Sequence, residues 1–148
     1  MKDKAIIFDW DGVIIDSLDF VKKRYQLLEK ELNLKLIHDW KQFRDCLECD
    51  WKTHYLAKGY TQDDIKNAEA LFKEGQKNHS FSLFPHLHLI IPALSQKYKL
   101  GIVSNNYSDW IKKKLKDEKL LSYFDEVIGV DVVHALKPDP TALIMCMK

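Results

Sequence analysis

Three short, largely apolar runs separated by stretches of helical periodicity constrain this chain more than any other feature. They are Lys4-Ala-Ile-Ile-Phe8, Tyr98-Lys-Leu-Gly-Ile-Val-Ser104 and Glu126-Val-Ile-Gly-Val130. Runs of this length and composition are predicted to be buried parallel strands. A helical stretch from Leu89 to Lys97 leads into the second run, and another from Ser108 to about Lys119 follows it. Strands alternating with helices specify an α/β fold with a parallel sheet, and right-handed crossovers place the three strands side by side.

The segment between the first run and the second is of a different kind. Asp16 and Ser17 offer N-cap chemistry for a helix with the stripe Val21, Tyr25, Leu28 and Leu32. A second stripe runs through Trp40, Phe43, Leu47, Trp51 and Tyr55. A third, with Ile65, Ala68, Leu71 and Phe72, follows Thr61, which has Asp64 three positions on in the manner of a capping box. This all-helical stretch is too long for an ordinary crossover and reads as an insertion after the first strand. The predicted organisation is a core formed by residues 1–16 and 83–148, with residues 17–82 as the insertion.

Composition narrows the function classes. With 148 residues, 46% hydrophobic and 30% charged, the chain has the make-up of a globular protein able to build a real core. A formal net charge of +1 gives no reason to expect a nucleic-acid or membrane-surface partner. The longest basic run, Lys112-Lys113-Lys114, lies on an amphipathic helix and reads as its solvated face. No stretch approaches the roughly 20 apolar residues of a membrane span, and Met1-Lys2-Asp3-Lys4 leads straight into a strand, so cytoplasmic residence is the expectation. Of the three cysteines, Cys46 and Cys49 form a lone CxxC at helical i, i+3 spacing, a weak signal for metal or redox chemistry.

Ligands of such a sheet bind outside the carboxyl ends of its strands. Asp9 and Asp11 follow the first strand, Ser104 and Asn105 the second, and Lys137 lies on the segment after the third. Each alone has a bland reading: a turn, an N-cap cluster, a solvated loop. Together they make a coherent chemical set. A carboxylate can attack phosphorus and carry the phosphoryl group as an aspartyl-phosphate. A second carboxylate two residues on can protonate the leaving oxygen and then activate water. Ser104, the Asn105 N–H and the Lys137 ammonium supply donors for the charged phosphoryl oxygens. Two carboxylates beside a phosphate repel, so a divalent cation is expected between them.

The motifs that carry this set resemble those of the haloacid dehalogenase superfamily, in its phosphatase branch with a helical cap after the first strand. Phe8-Asp9-Trp10-Asp11-Gly12-Val13-Ile14-Ile15-Asp16-Ser17 is similar to that family's first motif, Ile102-Val103-Ser104-Asn105 to the second and Lys137-Pro138-Asp139-Pro140 to the third. Tyr123-Phe124-Asp125 is similar to its run-in to the third strand. The resemblance implies a Rossmann-like parallel sheet with an inserted α-helical cap over residues 17–82. It implies Asp9 as nucleophile, Asp11 as acid/base, Ser104, Asn105 and Lys137 as phosphate binders, and Mg²⁺ on the Asp9 carboxylate and the Asp11 main-chain carbonyl. The implied reaction is hydrolysis of a small phosphorylated metabolite of phosphoglycolate-like or sugar-phosphate-like kind. A sugar-phosphate mutase and a catalytically incomplete member are the alternatives. His86 stands where the family often has Gly; His86 and His88 read as surface residues or as supports to the site.

The resemblance also implies a fourth, acidic motif at the end of a fourth strand. A helix and a strand of average length must precede it, about 17 residues after Pro138. Lys148 falls short of that, so the expectation is a core incomplete at its C-terminal end, lacking those acids. The Lys4–Phe8 strand is then expected to be an open edge that recruits another strand through self-association, or that a further C-terminal segment covers.

Overall fold

The computed structural model describes residues 2–31, 51–57, 59–77, 81–133 and 135–148. The chain forms two compact units, one of Met1–Asp16 with Ser82–Lys148 and the other of Ser17–Phe81.

In the first unit, strands β1 (Ala5–Phe8), β2 (Lys99–Val103) and β3 (Glu126–Ile128) make a parallel sheet in the order β1-β2-β3. The register pairs Ala5 with Lys99 through Phe8 with Ile102, and Gly101 with Glu126 through Val103 with Ile128. β2 is the central strand, and its last four residues are buried. This explains why its sequence is continuously apolar rather than alternating. Asp125 extends the pairing, taking the Leu100 N–H on its carboxylate at 2.8 Å and giving its own N–H to the Leu100 carbonyl at 2.8 Å. Beside it, Phe124 meets Phe8 edge-on.

Among the described residues four α-helices belong to this unit: α4 (Leu87–Ser95), α5 (Ser108–Asp117), the short α6 (Val130–Val133) and α7 (Thr141–Cys146). α5 lays Ile111 and Leu115, one helical turn apart, fully into the core. Each such burial contributes about 1.5–3 kcal/mol. Its opposite face carries the basic run: Lys113 pairs with Asp117 and Lys114 with Glu118, both i, i+4, so the solvated-face reading holds. α7 packs Ala142 against Val103 and Ile128, with Cys146 beside them. Gly101 makes that approach possible, since a methyl there would overlap Cys146 Sγ. Before α4, His86 takes a left-handed conformation (φ 69°), and its carbonyl accepts the N–H groups of Leu89 and Ile90 at 2.9 Å each.

The loop after β1 is wound around one carbonyl: Trp10 O accepts the N–H groups of Val13, Ile14 and Ile15 at 3.3, 2.9 and 3.1 Å. Gly12 sits at φ 75°, a turn that only glycine takes without strain, and donates to Ile15 O at 2.9 Å. The outgoing and returning chains are then tied together, Asp16 N–H to Ser82 O at 3.0 Å and Phe84 N–H to Ile14 O at 3.1 Å.

The second unit is helical in every described stretch: α1 (Leu18–Glu31), α2 (Trp51–Ala57) and α3 (Gln62–Lys77). The start of α3 is the capping box read from the sequence. Asp64 Oδ2 accepts the Thr61 N–H at 2.9 Å and its hydroxyl at 2.7 Å, and Thr61 Oγ1 accepts the Asp64 N–H at 3.2 Å. The Thr61 hydroxyl and N–H hold the Asp64 carboxyl below its ordinary range. Ile65, Ala68 and Tyr55 form the buried face, and Lys52 reaches Glu69 at 2.7 Å. Trp40, Phe43, Leu47 and the Cys46–Cys49 pair lie outside the described residues. Among the described residues no helix is long and apolar enough to cross a membrane.

Candidate active site

The carboxyl ends of the three strands bring together the residues singled out from the sequence. Asp9 leaves β1 with its side chain 45% exposed. Its Oδ1 accepts the Trp10 N–H at 2.7 Å and the Lys137 ammonium at 2.6 Å, and Oδ2 has no partner among the described residues. Lys137 also reaches the Val103 carbonyl at 3.4 Å, so its charge is shared between the ends of β1 and β2. An exposed ion pair of this kind contributes at most about 1 kcal/mol to stability. Its significance is position: the one ammonium of the cluster points at the Asp9 carboxylate.

What holds Lys137 there is Asn105. The Asn105 side chain clamps the main chain of Lys137, with Oδ1 accepting the Lys137 N–H at 2.6 Å and Nδ2 donating to its carbonyl at 3.4 Å. A residue after β2 therefore fixes a loop that follows β3. With its side chain so committed, what Asn105 can offer an oxyanion is its main-chain N–H, which donates to no described residue. Ser104 is nearly buried; its N–H continues the β2–β3 ladder by donating to Ile128 O at 3.0 Å. Its Oγ accepts the Asn106 N–H at 3.0 Å, which leaves the hydroxyl hydrogen for another acceptor.

Three residues important to this arrangement were not singled out from the sequence. Asn106 is buried and donates from Nδ2 to Asp11 Oδ2 at 3.4 Å. Asp131 binds the first turn of α5, accepting the Ser108 N–H at 2.7 Å and the Ser108 hydroxyl at 2.6 Å. Burial pushes the Asp131 carboxyl up. The hydrogen bonds from the Ser108 hydroxyl and N–H and from its own N–H, with the charge of Lys112, outweigh that and hold it below the ordinary range. Gly129 lies between them, in contact so close that a methyl would overlap Ser108 N and Asn106 O. The signal for these three is spatial: 23 residues separate Ser108 from Asp131, and 95 separate Asn106 from Asp11.

Among the described residues, neither His86 nor His88 is hydrogen-bonded to this cluster. His86 is exposed, and His88 Nε2 meets Glu118, its carbonyl at 3.2 Å and its Oε2 at 3.4 Å.

An arrangement of this kind offers two carboxylates two residues apart, an ammonium, a hydroxyl and an open main-chain N–H at the carboxyl end of the sheet. Those are the parts that transfer of a phosphoryl group requires.

Comparison with known proteins points the same way. The family model described as haloacid dehalogenase-like hydrolase matches residues 6–148. The phosphoglycolate phosphatase of Aquifex aeolicus is 27% identical over 157 residues, an alignment covering 98% of this chain and 69% of that protein. Pyrophosphatase PpaX of Listeria monocytogenes is 27% identical, with 99% and 68% covered. Among solved structures, a haloacid dehalogenase-like hydrolase from Streptococcus pneumoniae superimposes with a TM-score of 0.68 at 24% identity, covering 88% of this chain and 67% of that one.

Proposed function

Since this chain belongs to the haloacid dehalogenase-like hydrolase family, we propose that it hydrolyses small phosphomonoesters through an aspartyl-phosphate on Asp9. The observation that carries the reading is the Lys137 ammonium 2.6 Å from Asp9 Oδ1, on a loop that Asn105 holds in place. An ammonium at that distance supports Lys137 as the cation for the phosphoryl oxygens and Asp9 as the nucleophile.

The steps follow from the residues. Asp9 attacks phosphorus through its second carboxylate oxygen, and the bond from phosphorus to the leaving oxygen breaks. Asp11, protonated, gives its proton to that oxygen. The ionised Asp11 then takes a proton from water as the water attacks phosphorus, which releases inorganic phosphate and restores Asp9. Ser104 Oγ–H, Asn105 N–H and Lys137 Nζ hold the equatorial oxygens. The relatives' names point to a compact anionic substrate, a phosphorylated hydroxy acid or pyrophosphate.

Mg²⁺ fits the donor set in a limited sense. The Asp9 carboxylate and the Asp11 main-chain carbonyl are hard oxygen donors, and Mg²⁺ is commonly held by one or two carboxylates with water and substrate phosphate completing its shell. Among the described residues no group of three or more His, Cys, Asp or Glu converges on one point. The Asp9 carboxylate and the Asp11 main-chain carbonyl would hold the ion, which when bound would neutralise phosphoryl charge. A second reading is a member that binds phosphoryl groups with little turnover.

Hydrolysis of p-nitrophenyl phosphate and 2-phosphoglycolate with Mg²⁺ tests both. Activity that Asp9→Asn lowers by on the order of 10³-fold or more supports the nucleophile. Activity that survives the substitution overturns it. Inorganic phosphate binding by calorimetry without turnover selects the second reading.

A further inference from the structure

We infer that Asn106 is a positioning residue for Asp11: its side-chain amide holds the acid/base carboxyl in line with the leaving group. The inference rests on the acid/base role proposed above for Asp11. It starts from how completely Asn106 is fixed. Its N–H donates to Ser104 Oγ at 3.0 Å, its carbonyl accepts the Val130 N–H at 3.0 Å, and its Oδ1 accepts the Tyr107 N–H at 3.0 Å.

Those bonds settle the orientation of the amide. The side-chain atom facing the Tyr107 N–H must be the oxygen, so the atom facing Asp11 Oδ2 at 3.4 Å is the nitrogen, a donor. The contact is long, and a shift of a few tenths of an ångström brings it to ordinary length. Asp11 lies on the loop that turns at Gly12, whereas Asn106 lies in a segment tied to β3 and to Ser104. The amide thus anchors a loop residue to the segment that leaves the end of β2.

The chemistry favours a neutral donor here. A group that protonates and then deprotonates must be held in both states. An amide N–H can donate to a carboxylate and to the carbonyl oxygen of a carboxylic acid alike. An ammonium in its place would bind the ionised state far more strongly and oppose the protonated one. Asn106 therefore fixes geometry without choosing the charge.

The test uses two variants and two leaving groups. Asn106→Asp keeps an acceptor for the Tyr107 N–H but replaces the donor with a repelling carboxylate. Asn106→Ser keeps a short acceptor and cannot reach Asp11. A p-nitrophenolate leaves without a proton, whereas an alkoxide needs one. For both variants kcat/KM on 2-phosphoglycolate is expected to fall about 10–100-fold, and on p-nitrophenyl phosphate less than about 3-fold. Equal losses on the two substrates, or no loss on either, overturn the inference while leaving the phosphatase reading intact. A wild-type chain that hydrolyses neither substrate removes that reading, and the inference with it.

Discussion

Replacing Asp131 by Ala removes one carboxylate and two hydrogen bonds, those to Ser108 N–H at 2.7 Å and Ser108 Oγ at 2.6 Å. Ser108 is 2% exposed, so little water replaces the lost partner. A hydrogen bond to a charged group contributes about 1.5–3 kcal/mol. The two bonds share one carboxylate and one edge of it is solvated, so the expected loss is about 2–3 kcal/mol rather than the full sum. In a chain of this size 1 kcal/mol corresponds to about 2–4 °C, which puts the fall in Tm near 5–10 °C. Asp131→Asn, which keeps one acceptor, should cost about half as much. Urea titrations followed by circular dichroism give the free energies, and a cycle with Ser108→Ala gives the coupling, expected at about 1–2 kcal/mol. An Asp131→Ala cost below about 0.5 kcal/mol, or strict additivity with Ser108→Ala, would refute the claim that this contact secures the start of α5.

Four further outcomes follow from the same structure. Because Ser108 holds the folded Asp131 carboxyl below its unfolded value near 4, its stabilisation is complete above about pH 4. The stability gap between wild type and Asp131→Ala should therefore stay constant from pH 7 to 5 and close as pH falls further, as melts across that range would show. Gly129→Ala drives a methyl into the Ser108 N and Asn106 O atoms, which are main chain and cannot rotate away. It should cost at least about 1–3 kcal/mol in urea titrations. Lys137→Met keeps the stem and deletes the ammonium; kcat/KM on phosphomonoesters should fall about 10²–10³-fold with stability changed by under about 1 kcal/mol. His86→Gly relieves a left-handed backbone (φ 69°) and should raise stability by about 0.5–1 kcal/mol in thermal melts.

Local rules made much of the fold legible. The three strands form where the apolar runs stand, because a run buried on both faces leaves no alternation to misread. The Thr61–Asp64 capping box needs only four residues to declare itself, and α3 begins there. The third strand ends at Ile128 rather than Val130, since Val130 N–H leaves the ladder for Asn106 O. α4 begins at Leu87, two residues before the expected start, because the left-handed His86 turns the chain into it. Asp9, Asp11, Ser104, Asn105 and Lys137 could be collected from sequence because each follows a recognisable strand. The Asn105 clamp on Lys137 and the Asn106 contact to Asp11 could not. Both depend on which side chain turns toward which loop, and strand adjacency alone does not determine that.

The close approach at Gly129 has a consequence for how this chain can change over generations. Asn106, Ser108 and Asp131 crowd a glycine that has no room for a single added carbon. Position 129 cannot gain a side chain alone: it needs a retreat of the 106–108 turn, and that retreat strands the Asp131 carboxylate. Neutral variation at 129 should therefore be rare and, where it occurs, accompanied by change at 131 or in the 106–108 turn.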